Sequence, residues 1–149
     1  MADWFLKVKK DFITCFLEKD RWHYILQGLG NTLKIALVAV LLGVVIGTVV
    51  AIIRSTYDKN AATMRPGIVR FLLGLGNAIC RIYLTVIRGT PVMIQILIMF
   101  FVIFSNARDG VPVAMLTFGI NSGAYVAEII RGGIMAVDAG QMEAGRSLG

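Results

Sequence analysis

Ile35-Ala-Leu-Val-Ala-Val-Leu-Leu-Gly-Val-Val-Ile-Gly-Thr-Val-Val-Ala-Ile-Ile53 is a run of nineteen uncharged residues held between Lys34 and Arg54. At about 1.5 Å of rise per residue, a helix of that length reaches roughly 28 Å, close to the thickness of a bilayer's hydrocarbon core. The run therefore points to an all-α integral membrane protein, and the rest of the chain is read for further spans. A second stretch of nineteen uncharged residues separates Arg88 from Arg108. Thr90 can cap a helix there, with Pro91 in the first turn, where its missing amide costs nothing. A third run, residues 110–127, has eighteen uncharged residues and continues as helix past Glu128 and Arg131. Long charged side chains near the end of a span can snorkel to the interface, so these two need not stop it. Three spans are expected, at about 33–53, 90–107 and 112–133.

Composition agrees with this class. Apolar residues make up 57% of the 149, against about 45–50% in ordinary soluble domains. The net charge is +6, but the basic residues sit beside apolar runs, where anionic lipid headgroups are the natural partner. No basic stripe with interleaved aromatics stands clear of the spans, which argues against nucleic-acid binding. Cys15 and Cys80 fit no metal or redox spacing and read as small apolar fillers. No metal site and no cofactor is expected. His23, the sole histidine, falls outside the spans and reads as an interfacial residue. No nucleophile–base pair suggests intramembrane chemistry. The first thirty residues lack the basic, apolar and small-residue order of a cleavable signal peptide.

Lysine and arginine counts in the connections orient the spans. The link from residue 54 to 88 carries Arg54, Lys59, Arg65, Arg70, Arg81 and Arg88 against Asp58 alone, whereas the next carries only Arg108 and Asp109. The first link is thus expected in the cytoplasm and the second outside, with the N-terminus outside and residue 149 cytoplasmic. Residues 1–27 alternate aromatics (Trp4, Phe5, Phe12, Phe16, Trp22, Tyr24) with charges, which suits an amphipathic segment in the headgroup region. Residues 58–66 read as a polar turn. The stretch 68–87, interrupted by Arg70 and Arg81, reads as too charged to cross and is expected along the cytoplasmic surface.

Several short segments carry possible function. In the tetrapeptide Arg88-Gly89-Thr90-Pro91, Gly89 permits a bend at the membrane entrance and Arg88 can reach a phosphate or an acid; the plainer reading is a helix start with a positive anchor. Gln95 is the one strongly polar group of its span, and it reads as packing glue or as a lining for a solute path. Gly43-Val-Val-Ile-Gly47 allows close approach of another helix, with packing inside the chain as the safer reading. Asn121, Ser122, Tyr125 and Glu128 fall at offsets that place them on one helical face. Glu128 could pair with a substrate ammonium or, more plainly, with Arg131. The end of the chain, Gly140-Gln-Met-Glu-Ala-Gly-Arg-Ser-Leu-Gly149, reads as a short charged helix rich in small residues, with Gly140 turning the chain into it.

Three of these segments together, Arg88–Pro91, residues 121–133 and residues 140–149, resemble the polar amino-acid permeases of ATP-binding-cassette importers. The last segment is similar to that family's coupling motif, a Glu-Ala-Ala triplet followed four residues later by Gly: Glu143, Ala144 and Gly149 match, and Gly145 stands in the second Ala position. Glycine there costs about 1 kcal/mol of helix propensity relative to alanine. The resemblance implies the type I importer permease fold over residues 28–149, with a cytoplasmic coupling helix at about 139–149. The coupling residues would be Gly140, Glu143, Ala144, Gly145 and Gly149. A translocation path lined by Gln95, Asn121, Ser122, Tyr125 and Glu128 becomes plausible.

The same resemblance implies a bacterial inner-membrane subunit that takes up polar amino acids and performs no bond chemistry. Its partners would be an ATP-binding subunit, a second permease chain (identical or homologous), an external amino-acid-binding protein and the lipid bilayer. The chain has no Gly-x-x-x-x-Gly-Lys-Ser/Thr loop, so ATP hydrolysis falls to the partner. The family pattern would continue with two more spans, which makes an incomplete permease domain the expectation. The alternatives are a permease for another small solute and a non-transporting scaffold or channel-like subunit.

Overall fold

The structure is a computed structural model that describes residues 2–14, 21–61 and 64–148. Cys15, Phe16, Lys19 and Gly149 fall outside that set. The described residues form helices α1 (Ala2–Phe12), α2 (Trp22–Asn60), α3 (Ile68–Gly89), α4 (Val92–Ile98), α5 (Gly110–Ala136) and α6 (Ala139–Ser147), with a π turn, Met99–Ile103, continuing α4. By length and composition α2, α3 and α5 can each cross a membrane. Their outward faces carry large exposed apolar side chains, among them Leu37, Val45, Ile52, Ile79, Ile82 and Ile129, as hydrocarbon surroundings require.

Glycines make the central contact. On α2, a Cβ added at Gly43 would lie 2.8 Å from Ser122 Cβ, and one at Gly47 would lie 2.7 Å from Val126 Cβ and 3.0 Å from the backbone nitrogen of Ala127. On α5, a Cβ at Gly119 would meet Leu42 Cβ at 2.8 Å, and one at Gly123 would meet Ile46 at 3.0 Å. Each helix thus offers two glycines four residues apart and receives the other's bulky residues between them. Small-xxx-small pairs let backbones approach where no hydrophobic effect operates between helices. The Gly43–Gly47 pair packs within the chain, with a matching pair on α5.

The order of these contacts fixes direction. From Gly43 opposite Ser122, through Gly47 opposite Val126, to the Arg54–Glu128 and Asp58–Arg131 ion pairs, numbers rise together, so α2 and α5 are parallel. The chain between them must come back across. It does so first through α3, where Gly74 faces Tyr57, Gly76 faces Ile53, and Tyr83 meets Gly123 beside Ile46. Falling numbers on α2 against rising ones on α3 mean antiparallel packing. Cys80 and Leu84 of α3 close a small core with Val50, Ala124 and Ala127. The Tyr83 hydroxyl donates to the Ile120 carbonyl at 2.6 Å. After a break, α4 and its π turn continue the return, with Gln95 at Asn121 and Phe100 against Gly110.

Two expectations change here. Residues 68–87 are not a separate surface-lying segment; they pack antiparallel to α2 and touch α5 through Tyr83, Leu84 and Arg88. The segment expected as a complete second span is a short apolar helix, Val92–Ile103, about 18 Å long at helical rise and well short of a ~30 Å core. The return limb is therefore composite. Arg70 and Arg81 suggested a barrier to crossing, but Arg81 lines a polar cleft and Arg70, near the start of α3, donates to the Met64 carbonyl at 3.3 Å.

Boundaries also shift. Trp22 already begins α2, so the expected limit of the N-terminal segment at residue 27 falls inside a helix longer than its membrane portion. Over Ala2–Phe12 the first segment is helical, with Trp4, Phe5, Leu6 and Phe12 exposed. Asp109 caps α5, its carboxylate accepting from the Val111 amide at 2.9 Å.

Candidate functional site

At the break between α3 and α4, α3 ends at Gly89, Thr90 is extended (φ −116°, ψ 140°) and Pro91 precedes the first residue of α4. Thr90 does not cap α4. Its hydroxyl donates back to the Val86 carbonyl at 2.9 Å, so it serves the C-terminus of α3. Gln95 completes that cap, its amide nitrogen donating to the Ile87 carbonyl at 2.7 Å and the Thr90 hydroxyl at 2.8 Å. The other end of the same amide accepts from Asn121 at 3.1 Å. Gln95 and Asn121 are thereby committed to joining α3, α4 and α5.

Beside this break lies a cleft of about 520 Å³ lined by Arg54, Arg81, Leu84, Thr85, Arg88, Gly89, Tyr125 and Glu128. Glu128 is its anionic centre. One carboxylate oxygen takes Arg54 at 2.7 Å and faces Arg88 at 3.8 Å; the other takes Arg131 at 3.3 Å. Arg131 in turn pairs with Asp58 at 3.0 Å. Little of Arg54 and Glu128 is exposed, with side chains at 16% and 24%, whereas Arg88 is at 45%. The Arg88 guanidinium also sits 5.7 Å from the centre of the Tyr125 ring, within cation–π range.

The expected single face of α5 thus divides. Tyr125 and Glu128 meet in the cleft with Arg88, Asn121 turns to Gln95, and Ser122 packs against Gly43. One residue of α-helix turns about 100°, which carries Ser122 off the face shared by Asn121, Tyr125 and Glu128. Arg54 and Arg81 belong to the cleft, although the sequence suggested an orientation signal for both and, for Arg81, a bar to crossing. An arginine bordering an apolar run carries a hint of such a role, but its partner depends on helix register.

The chain leaves α5 at Val137, which is extended (φ −73°, ψ 116°), and α6 follows with Asp138 as its cap, the carboxylate accepting from the Gly140 amide at 2.8 Å. The turn is therefore at Val137–Asp138, and Gly140 is already helical; a carboxylate that reaches a free amide starts the helix without calling on glycine's freedom. Glu143, Ala144 and Gly145 are exposed, and a Cβ at Gly145 would touch nothing within 4 Å.

Parallel glycine-clasped helices, a broken return limb and ion pairs at helix level define a multi-pass α-helical membrane subunit. The family model of the binding-protein-dependent transport system inner membrane component matches residues 43–149, and the chain belongs to that family. It is similar to the arginine transport system permease protein ArtQ of Bacillus subtilis, at 36% identity over 85% of this chain and 52% of the relative. A Rickettsia prowazekii protein, provisionally named glutamine transport system permease protein GlnP, is 38% identical over 84% of this chain and 52% of its own length. A crystal structure of an amino acid ABC transporter with histidines matches with a TM-score of 0.60 and 37% identity, over 79% of this chain and 49% of that one. The chain spans about half the length of these relatives. That family is one of inner-membrane components of binding-protein-dependent transport systems.

Proposed function

We propose that the chain acts in a permease subunit of an ATP-binding-cassette importer for polar amino acids. The observation that carries this reading is the 37% identical match, over 79% of the chain, to an amino acid ABC transporter. In this reading α6 is the coupling helix, received by a separate ATP-hydrolysing subunit. Its exposed Glu143–Gly145 segment and side-chain cap support that role, because a partner groove can close around small residues. An external binding protein delivers the solute, and a second permease chain completes the path. Tyr125 and Glu128 border the path, while Gln95 and Asn121 brace it. Three crossings leave the N-terminus and α6 on opposite sides, and the arginine-rich link between residues 54 and 88 supports α6 as the cytoplasmic end.

ATP-dependent uptake of radiolabelled glutamine, arginine, histidine and cystine into membrane vesicles tests the function. Uptake should fall on loss of the chain and with Glu143→Arg, which should also reduce recovery of an ATPase on purification. Uptake unchanged by either perturbation would refute the reading, as would labelling of Gln141→Cys from the outer side.

A further inference from the structure

We propose that the cleft at the α3–α4 break recognises a carboxylate, so that an amino acid there is read by its carboxyl end. The proposal rests on the amino-acid reading and adds which end of the solute this chain holds and with which residues. Glu128 invites the opposite assignment, a seat for the ammonium group, but it is already engaged by Arg54 and Arg131 and faced by Arg88. Three arginines against one glutamate leave the cleft lining with a formal charge of +2.

Arg81 makes no ion pair or side-chain hydrogen bond among the described residues, and Arg88 is the most exposed of the three arginines at Glu128. Arg54 adds a buried Nε donor without an acceptor. A guanidinium presents a planar fork of donors that matches a carboxylate in two parallel bonds. The C-terminal end of a helix would ordinarily oppose an anion. Here the Val86 and Ile87 carbonyls are occupied by Thr90 and Gln95, which blunts that negative end and leaves the arginines to set the field. The Tyr125 ring, held against Arg88, supplies an apolar wall with a polar tip beside the ligand.

The test uses the chain in phosphatidylcholine nanodiscs and saturation-transfer NMR with millimolar L-glutamine, L-arginine and L-histidine. Each is compared with its N-acetyl form, which keeps the carboxylate, and its α-amide, which keeps the ammonium. Free and N-acetyl forms should bind alike, and the amides at least fivefold more weakly. Arg81→Gln combined with Arg88→Gln should weaken the acids about tenfold and leave the amides unchanged. Arg81→Lys should recover part of the loss, and circular dichroism should show parental helix content throughout. The proposal is overturned if amides bind as well as acids, if no acid binds the folded chain, or if the double variant binds like the parent. Displacement of the acids by phosphatidylglycerol, with no loss in the arginine variants, would assign the cleft to a lipid headgroup and also overturn it. Uptake distinguishes the two readings: carboxylate binding without ATP-dependent uptake sinks the permease assignment alone, and uptake with charge-indifferent binding sinks this one alone.

Discussion

Gly47→Ala should open the α2–α5 clasp. The new methyl would stand 2.6 Å from Val126 Cγ1, 2.7 Å from Val126 Cβ and 3.0 Å from the Ala127 backbone nitrogen. Trimming Val126 to alanine would leave its Cβ in place, so relief requires the helices to separate. Overpacking of this kind costs about 1–3 kcal/mol, and the severity of a backbone contact argues for the upper part of that range. Alanine returns up to about 1 kcal/mol of helix propensity, leaving a net loss near ~2 kcal/mol, or roughly 30-fold in the opening equilibrium. Cys80, buried in the core between α2, α3 and α5, is the reporter. In a Cys15→Ser background its labelling by a maleimide dye tracks that opening. Gly133→Ala is the control: its methyl would meet nothing within 4 Å, so labelling should be no faster than in the parent. Equal rates for the Gly47 and Gly133 variants would refute the close-approach reasoning.

Three further outcomes follow from the polar contacts. Glu128→Gln leaves Arg54, Arg88 and Arg131 facing one another without their shared acid, and should destabilise by about 3 kcal/mol, as breaking a largely buried pair does; detergent unfolding should show Asp58→Asn to be milder, at no more than ~1 kcal/mol. Tyr83→Phe removes the hydroxyl that donates to the Ile120 carbonyl and should cost about 1 kcal/mol, read as a lower midpoint in the same titration. Asp138→Ala removes the cap of α6, worth about 1 kcal/mol; hydrogen exchange should accelerate over residues 139–147 and stay unchanged in α2.

The sequence was most informative where one physical demand dominates. Nineteen uncharged residues before Arg54 admit little but a membrane helix, and α2 contains them. The small-residue helix at the chain's end was legible from its composition. Arg81 misled because a charge in an apolar helix signals a barrier only while its surroundings are unknown. Gly119 and Gly123 repeat the spacing of Gly43 and Gly47, yet they were obscured by the polar residues among them. The cleft itself could not be read locally. It depends on bringing residues from α2, α3 and α5 to one level, a matter of register rather than of any short motif.

That parallel pairing has a consequence for biosynthesis. Because α2 is made well before α5, its glycine notches and Arg54 enter the bilayer with neither counterpart yet translated. During that interval the notches face lipid tails and the guanidinium must borrow an anion from the headgroup region. Insertion of the third crossing replaces both temporary neighbours at once. The clasp and the ion pair are thus late events, and a ribosome stalled before Glu128 would leave α2 membrane-bound but unclasped.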